Sequence, residues 1–333
     1  MVPIVIRPGF AADARERFRG VQNTELRPLG AGEILDRAVT LYVRRFVLIV
    51  AVLAVVVVPF LIAQAVVSPG SGRIFDDMGK VMSASGHAQT EAMAQMTRDG
   101  QTQPLTYLVI MMNAFARLLE FSAVVAVIAA AYAGSAMTFG GAYRLALRRW
   151  LPQIVVALAY LAIAAIAGIP LLMMAFAIGL VVTLIGAAGG GWAAAVIGIV
   201  AALVAGVIVI CLMCWVYIAY NLAAVAVVTE SADIATAIGA GLRRAFGKQT
   251  RWRALVAGLI VFAISVGGSL PIIGIAATVS ALVHQPALYY AIAGAGTVLL
   301  EGLVAAFIVV FATDVRVRRE GLDLVVPASP AGV

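Results

Sequence analysis

Between Trp150 and Thr229 the chain runs for 80 residues without one Asp, Glu, Lys or Arg. About 20 apolar residues carry a helix across the ~30 Å hydrocarbon core of a bilayer, so this run holds at least two crossings. A second stretch, from Ala254 to Thr313, has Glu301 as its only formal charge and holds two more. A soluble domain is roughly 25% charged, whereas these 333 residues are 12% charged and 63% hydrophobic. An outer-membrane barrel is excluded by the pattern, because barrel strands alternate polar and apolar residues over about 10 positions. These runs are apolar on every face. Backbone groups in lipid must be satisfied within the segment, so a continuous apolar run is helix.

The expected architecture is an all-α, polytopic transmembrane bundle of about six spans. The first runs from Phe46 to about Val67 with Pro59 inside it, followed by a polar loop at 68–104. The next apolar stretch, from Leu105 to about Gly140, is longer than one crossing needs. Its polar residues Arg117 and Glu120 put the span at 120–140 and leave 105–119 in the outer interface. Spans three and four fill the charge-free run and turn at Gly189-Gly190-Gly191, where glycine supplies the positive φ of a tight turn. Spans five and six occupy 254–282 and 288–312, turning at Val283-His284-Gln285-Pro286. The membrane domain is thus 27–324, between an N-terminal arm at 1–26 and a tail at 325–333. The arm contains Arg7, Asp13, Arg15, Glu16, Arg17 and Arg19 and lacks the apolar core of a secretory signal. It reads as a cytoplasmic extension.

The net charge of +7 could suggest a nucleic-acid partner, but the positions of the cations point elsewhere. Eight Lys/Arg precede span one, three follow span two, five follow span four and three follow span six; the 68–104 loop holds three against four acids. Cytoplasmic loops carry the excess of Lys and Arg, so both termini are expected inside, in a bacterial inner membrane.

A weak repeat accompanies this pattern. An amphipathic stretch with paired arginines introduces each odd span: Glu33 to Phe46, Ala142 to Trp150, and Asp233 to Phe246. A proline follows inside each of those spans, at Pro59, Pro170 and Pro271. The chain reads as three hairpins, each entered through a basic interfacial helix. Such helices attract anionic lipid headgroups, or serve only as topology-setting connectors.

Two motifs near the ends carry a family resemblance. Arg27-Pro28-Leu29-Gly30-Ala31-Gly32-Glu33-Ile34-Leu35-Asp36-Arg37-Ala38, followed by Leu41-Tyr42, resembles the entry motif of the bacterial glycerophosphoryl diester phosphodiesterase membrane-domain family. Asp314-Val315-Arg316-Val317-Arg318-Arg319-Glu320-Gly321-Leu322-Asp323-Leu324 resembles its exit motif. The resemblance implies a membrane region that some members fuse to a soluble phosphodiesterase barrel. Such a barrel needs roughly 250 residues, and no room for one remains here, so the enzyme name does not carry over.

Few residues are candidates for chemistry. Glu301 lies about 16 Å from the inner end of span six at 1.5 Å per residue, near the midplane. A carboxylate there costs about 2.5–3.5 kcal/mol to insert, so it is paired, protonated or facing a cavity. Arg117 and Glu120 are one turn apart and can pair; were Glu120 also to face Glu301, the two could share a proton or a cation. At the cytoplasmic side, Glu33, Asp36 and Arg37 could pair with Arg316, Arg318, Arg319, Glu320 and Asp323, or dock a partner. Cys211 and Cys214 read as small core residues, and Met78, Met82, Met93 and Met96 as an apolar stripe rather than a copper site. No cofactor or metal motif emerges. Three functions follow: a non-enzymatic component of lipid or envelope homeostasis or a scaffold, a secondary transporter using a buried carboxylate, and a lipid-headgroup enzyme.

Overall fold

The computed structural model describes residues 28–67, 88, 90–91, 104–187, 191–283 and 285–320. Among them there is no strand, and six helices are long and apolar enough to cross a membrane. The helices are α1 (Ala31–Arg44), α2 (Phe46–Val67), α3 (Pro104–Tyr132), α4 (Phe139–Ala187), α5 (Gly191–Thr229), α6 (Ile234–Phe246), α7 (Arg251–Phe262), α8 (Gly268–Val283) and α9 (Pro286–Glu320). A five-residue π-helical segment, Ala263–Gly267, joins α7 to α8 into one crossing.

Consecutive crossings pack as three hairpins, α2 with α3, α4 with α5, and α7–α8 with α9. The last helix also packs on α1, α2 and α3, which makes α9 the axis of the bundle. Val304, Ala305, Ala306, Phe307, Ile308, Val309 and Val310 are all buried along it. Lipid does not drive helices together as water does, so close contact rests on small residues and van der Waals fit. Gly302 lies against the Tyr42 ring, where an added Cβ would come within 2.6 Å of it. Gly258 lies against Cys214, 2.7 Å from an added Cβ, which gives that cysteine a packing role. Both cysteines are free.

The short amphipathic helices form where local signals demand them. In α1, the Gly30 N–H donates to the Glu33 carboxylate at 2.8 Å, and Ile34 and Ala38 are buried. In α6, Asp233 accepts from the Thr236 N–H at 3.2 Å, satisfying one of the donors a helix start leaves open.

Three expectations need correction. The second crossing is not 120–140 but a single helix from Pro104 to Tyr132. Gly134, at φ 70°, ends it: the Gly134 N–H reaches the Ala131 carbonyl at 3.1 Å and the Ser135 N–H the Ala130 carbonyl at 2.9 Å. This is a Schellman-type stop, which needs a residue that tolerates the left-handed region. Residues 105–119 are therefore part of the crossing helix. The amphipathic stretch from Ala142 to Trp150 is likewise not separate but opens the 49-residue α4. The helix runs on through Pro152 without a break, whereas Arg45 and the 247–250 segment interrupt the other two units. Spans five and six also run longer than expected, as Arg251–Val283 and Leu288–Arg319. The π segment ends four residues before Pro271, which has no N–H to donate to the Gly267 carbonyl.

At 1.5 Å per residue α4 is about 73 Å long, more than twice the ~30 Å apolar slab. After Tyr160 no described α4 side chain is buried, and α5 has none before Cys214. The turn expected at Gly189 and Gly190, the 68–87 and 92–103 parts of the loop with its Met residues, and both histidines lie outside the described residues.

Candidate functional site

Two groups of ionic side chains lie along α9. The first is in the middle of the crossings. Glu301 is 15 residues from the start of α9, about 22 Å along it, and Glu120 is 16 residues into α3, about 24 Å. The two helices pack side by side, so the carboxylates meet at one level. Arg117 lies between them: its guanidinium bonds directly to Glu301 and sits 3.5 Å from the Glu120 carboxylate.

The exposures of the three differ in a way that decides the reading. The Arg117 and Glu301 side chains are 30% and 40% exposed, but Glu120 is 2% exposed. Both Glu120 carboxylate oxygens are buried without a hydrogen-bond partner among the described residues. All three residues line a cavity of about 310 Å³, together with Tyr217, Tyr220 and Asn221 of α5 and apolar side chains of α2, α3 and α9. Asn221 is itself buried and donates to the Tyr217 carbonyl at 2.8 Å. The cluster holds two carboxylates and one guanidinium, so one further positive charge, a proton or a cation, brings it to neutrality.

The second group is at the end of the bundle where the basic residues collect. Asp314, 1% exposed, uses both oxygens. One accepts the Leu29 N–H at 2.7 Å and the other Arg253 at 3.2 Å, while Arg318 reaches them at 3.1 and 3.0 Å. Arg253 and Arg318 also donate to the Leu29 carbonyl, at 2.6 and 2.7 Å. Nearby, Arg244 grips Glu230 with two bonds of 2.8 and 2.9 Å, and Arg316 adds a contact at 3.5 Å.

Among the described residues the entry and exit motifs meet through the Leu29 peptide, Asp314 and Arg318. Glu33 caps α1. Asp36 is exposed and makes no ion pair among the described residues. Arg37 donates to the Tyr132 hydroxyl at 3.3 Å, and Arg319 to the Arg243 carbonyl. The Glu320 side chain and Asp323 lie outside the described residues. The Leu29 peptide offers Asp314 and Arg318 a fixed donor and acceptor, which sequence complementarity between charges does not reveal. Arg253, Asp314, Tyr217, Tyr220 and Asn221 were missing from the sequence-derived candidates. The Asp314-x-x-x-Arg318 spacing, an i,i+4 pair, was the signal available for part of this set.

No family model matches the chain, and no curated protein or solved structure aligns with it.

Proposed function

We propose that this multi-pass membrane protein is a secondary transporter, with Glu120, Glu301 and Arg117 as the coupling site. The observation that carries the reading is Glu120, a carboxylate 2% exposed whose oxygens have no hydrogen-bond partner among the described residues, the Arg117 guanidinium standing 3.5 Å away. An ionisable group within the bilayer is costly and marks an ion or substrate path by default. A group held only for architecture has its hydrogen-bonding capacity filled, because an unmet buried polar atom costs about 1–3 kcal/mol. Here Glu120 is part of the lining of a cavity, beside Arg117 and Glu301. The cavity takes a cation in exchange for a proton: the charge deficit favours either, and the phenols and amide of α5 supply neutral polar contacts. The π segment and Pro271 beside α9 add a helix irregularity of the kind that transporters place near their binding sites.

The test uses protein reconstituted in vesicles with a trapped pH-sensitive dye and an acidic interior. Sodium, potassium or choline added outside should alkalinise the interior through at least one exchange, and Glu120→Gln or Glu301→Gln should slow it at least tenfold. A wild-type protein that moves no proton with any of these cations sinks the proposal, as does a Glu120→Gln protein with an unchanged rate.

A further inference from the structure

Beside the Asp314 cluster lies a second cavity, of about 230 Å³, formed between α1, α7 and α9. Its walls are Ile34, Ile260, Phe307 and Phe311 with smaller apolar neighbours, and its polar contribution comes from Trp252 and Arg253. The rings of Phe307 and Phe311 lie parallel, 2° apart with centroids at 6.4 Å, and are almost wholly buried at the base of the groove. Trp252 is 62% exposed, with the Arg251 guanidinium 5.9 Å from its ring centroid. A tryptophan flanked by arginines belongs at the level of the lipid headgroups.

The charge of this mouth is not balanced. Arg253 and Arg318 share the single carboxylate of Asp314, which leaves one positive charge over. The Arg253 Nε is buried and has no hydrogen-bond partner among the described residues. Guanidinium is the side chain that matches a phosphate with a fork of donors. An apolar slot with a partly exposed guanidinium at its mouth fits a molecule with an anionic phosphate at one end and a hydrocarbon chain at the other.

We propose that the groove between α1, α7 and α9 binds an anionic phospholipid. One acyl chain lies in the groove, over its Phe307 and Phe311 base, and the phosphate meets Arg253. A free phosphate ion would use the arginine but leave the apolar walls without a role. The bound lipid joins three elements that are far apart in sequence, α1, α7 and α9, at the point where Leu29 is tied to Asp314. The site is independent of the mid-membrane carboxylates.

The full chain, stripped of lipid in detergent, would be mixed with phosphatidylglycerol or phosphatidylethanolamine and weighed by native mass spectrometry. One phosphatidylglycerol per chain should be retained at least tenfold more tightly than phosphatidylethanolamine. Val256→Trp, a substitution at the half-exposed wall of the groove, should abolish retention while the unfolding midpoint stays within a few degrees of the parent. Arg253→Gln, which removes the surplus positive charge that separates an anionic from a zwitterionic headgroup, should bind both lipids about equally. Equal binding of the two lipids by the parent overturns the proposal, and so does full retention by Val256→Trp. Displacement of the lipid by millimolar inorganic phosphate would assign the arginine to a free anion instead. Binding that emerges only after removal of residues 1–26 would make the N-terminal arm the occupant.

Discussion

The two ionic clusters on α9 are separated by 13 residues, about 20 Å of helix, and they solve the same problem in opposite ways. At the basic end, one carboxylate faces two guanidiniums, and both Asp314 oxygens are engaged by side chains or backbone. In the middle, one guanidinium faces two carboxylates, and neither Glu120 oxygen has a hydrogen-bond partner among the described residues, the Arg117 ion pair being at 3.5 Å. The first fills the buried carboxylate, fixes where α1 meets α9, and leaves its spare positive charge on the arginines. The second lines a cavity and leaves the Glu120 oxygens without a hydrogen-bond partner among the described residues. Burial alone therefore does not separate architecture from activity in this chain, since Asp314 and Glu120 are almost equally inaccessible. What separates them is whether the hydrogen-bonding capacity is met.

The sharpest test is to remove each buried acid and compare the consequences. Asp314→Leu strands two guanidiniums and leaves the Leu29 N–H without its acceptor. Breaking a buried pair by deleting one partner costs about 3–5 kcal/mol, so this should be the most destabilising change. Cys214 is buried in the bundle while Cys211 is only half-buried, so in a Cys211→Ser background a thiol-reactive fluorophore that lights up on exposure of Cys214 reports the unfolding midpoint. Glu120→Gln in the same assay should leave the midpoint where it was or raise it. A larger loss from Glu120→Gln than from Asp314→Leu would reverse the assignment of the two clusters.

Arg117→Met comes next in size. It leaves two carboxylates facing each other with no counter-charge, and a loss of roughly 2–4 kcal/mol is expected from the uncompensated burial. Adding Glu120→Gln to it removes one of the two acids and should restore at least half of that loss. Residues sharing one ionic network couple by about 0.5–3 kcal/mol, and the double-mutant cycle reads that coupling directly. Cation exchange should stay absent in the double mutant, since stability and coupling depend on different features of the same three residues. Simple additivity of the two changes would mean that Arg117 serves Glu301 alone.

Much of this arrangement was written in local sequence. The charge-free run after Trp150 and the basic residues around Arg44, Arg148, Arg243 and Arg318 dictate helices with their cations at alternate ends. The i,i+3 relation of Arg117 and Glu120 follows from one helix. The depth of Glu301 also follows from counting, but its direction around α9 does not. Which face of α9 meets α3 depends on small residues such as Gly302 fitting against Tyr42, and one-dimensional spacing carries no such azimuth. The link between Leu29 and Asp314 was hidden for another reason. A backbone N–H is the same at every residue, so a carboxylate that seeks one leaves no complementary letter in the sequence. Gly134 is different, because the Ala133-Gly134-Ser135 stop was readable and the polarity of Arg117 and Glu120 outweighed it.

The smallest effect tests the contact that ties α1 to the axis between the two clusters. The Tyr42 ring packs on Gly302 and meets Phe46 edge to face, with centroids 5.5 Å apart. Its hydroxyl is buried without a hydrogen-bond partner among the described residues, and burial pushes the phenol above its usual range. A phenol that is neutral when free and neutral when buried contributes no pH dependence to stability below that range. Tyr42→Phe keeps the ring against Gly302 and deletes the one unmet atom. Removal of a buried group that has no partner should stabilise the bundle by up to about 1 kcal/mol, with the same midpoint shift at pH 6 and pH 8. A loss of stability instead would place an acceptor on that hydroxyl, and would show that α1 is held to α9 by a polar bond as well as by fit.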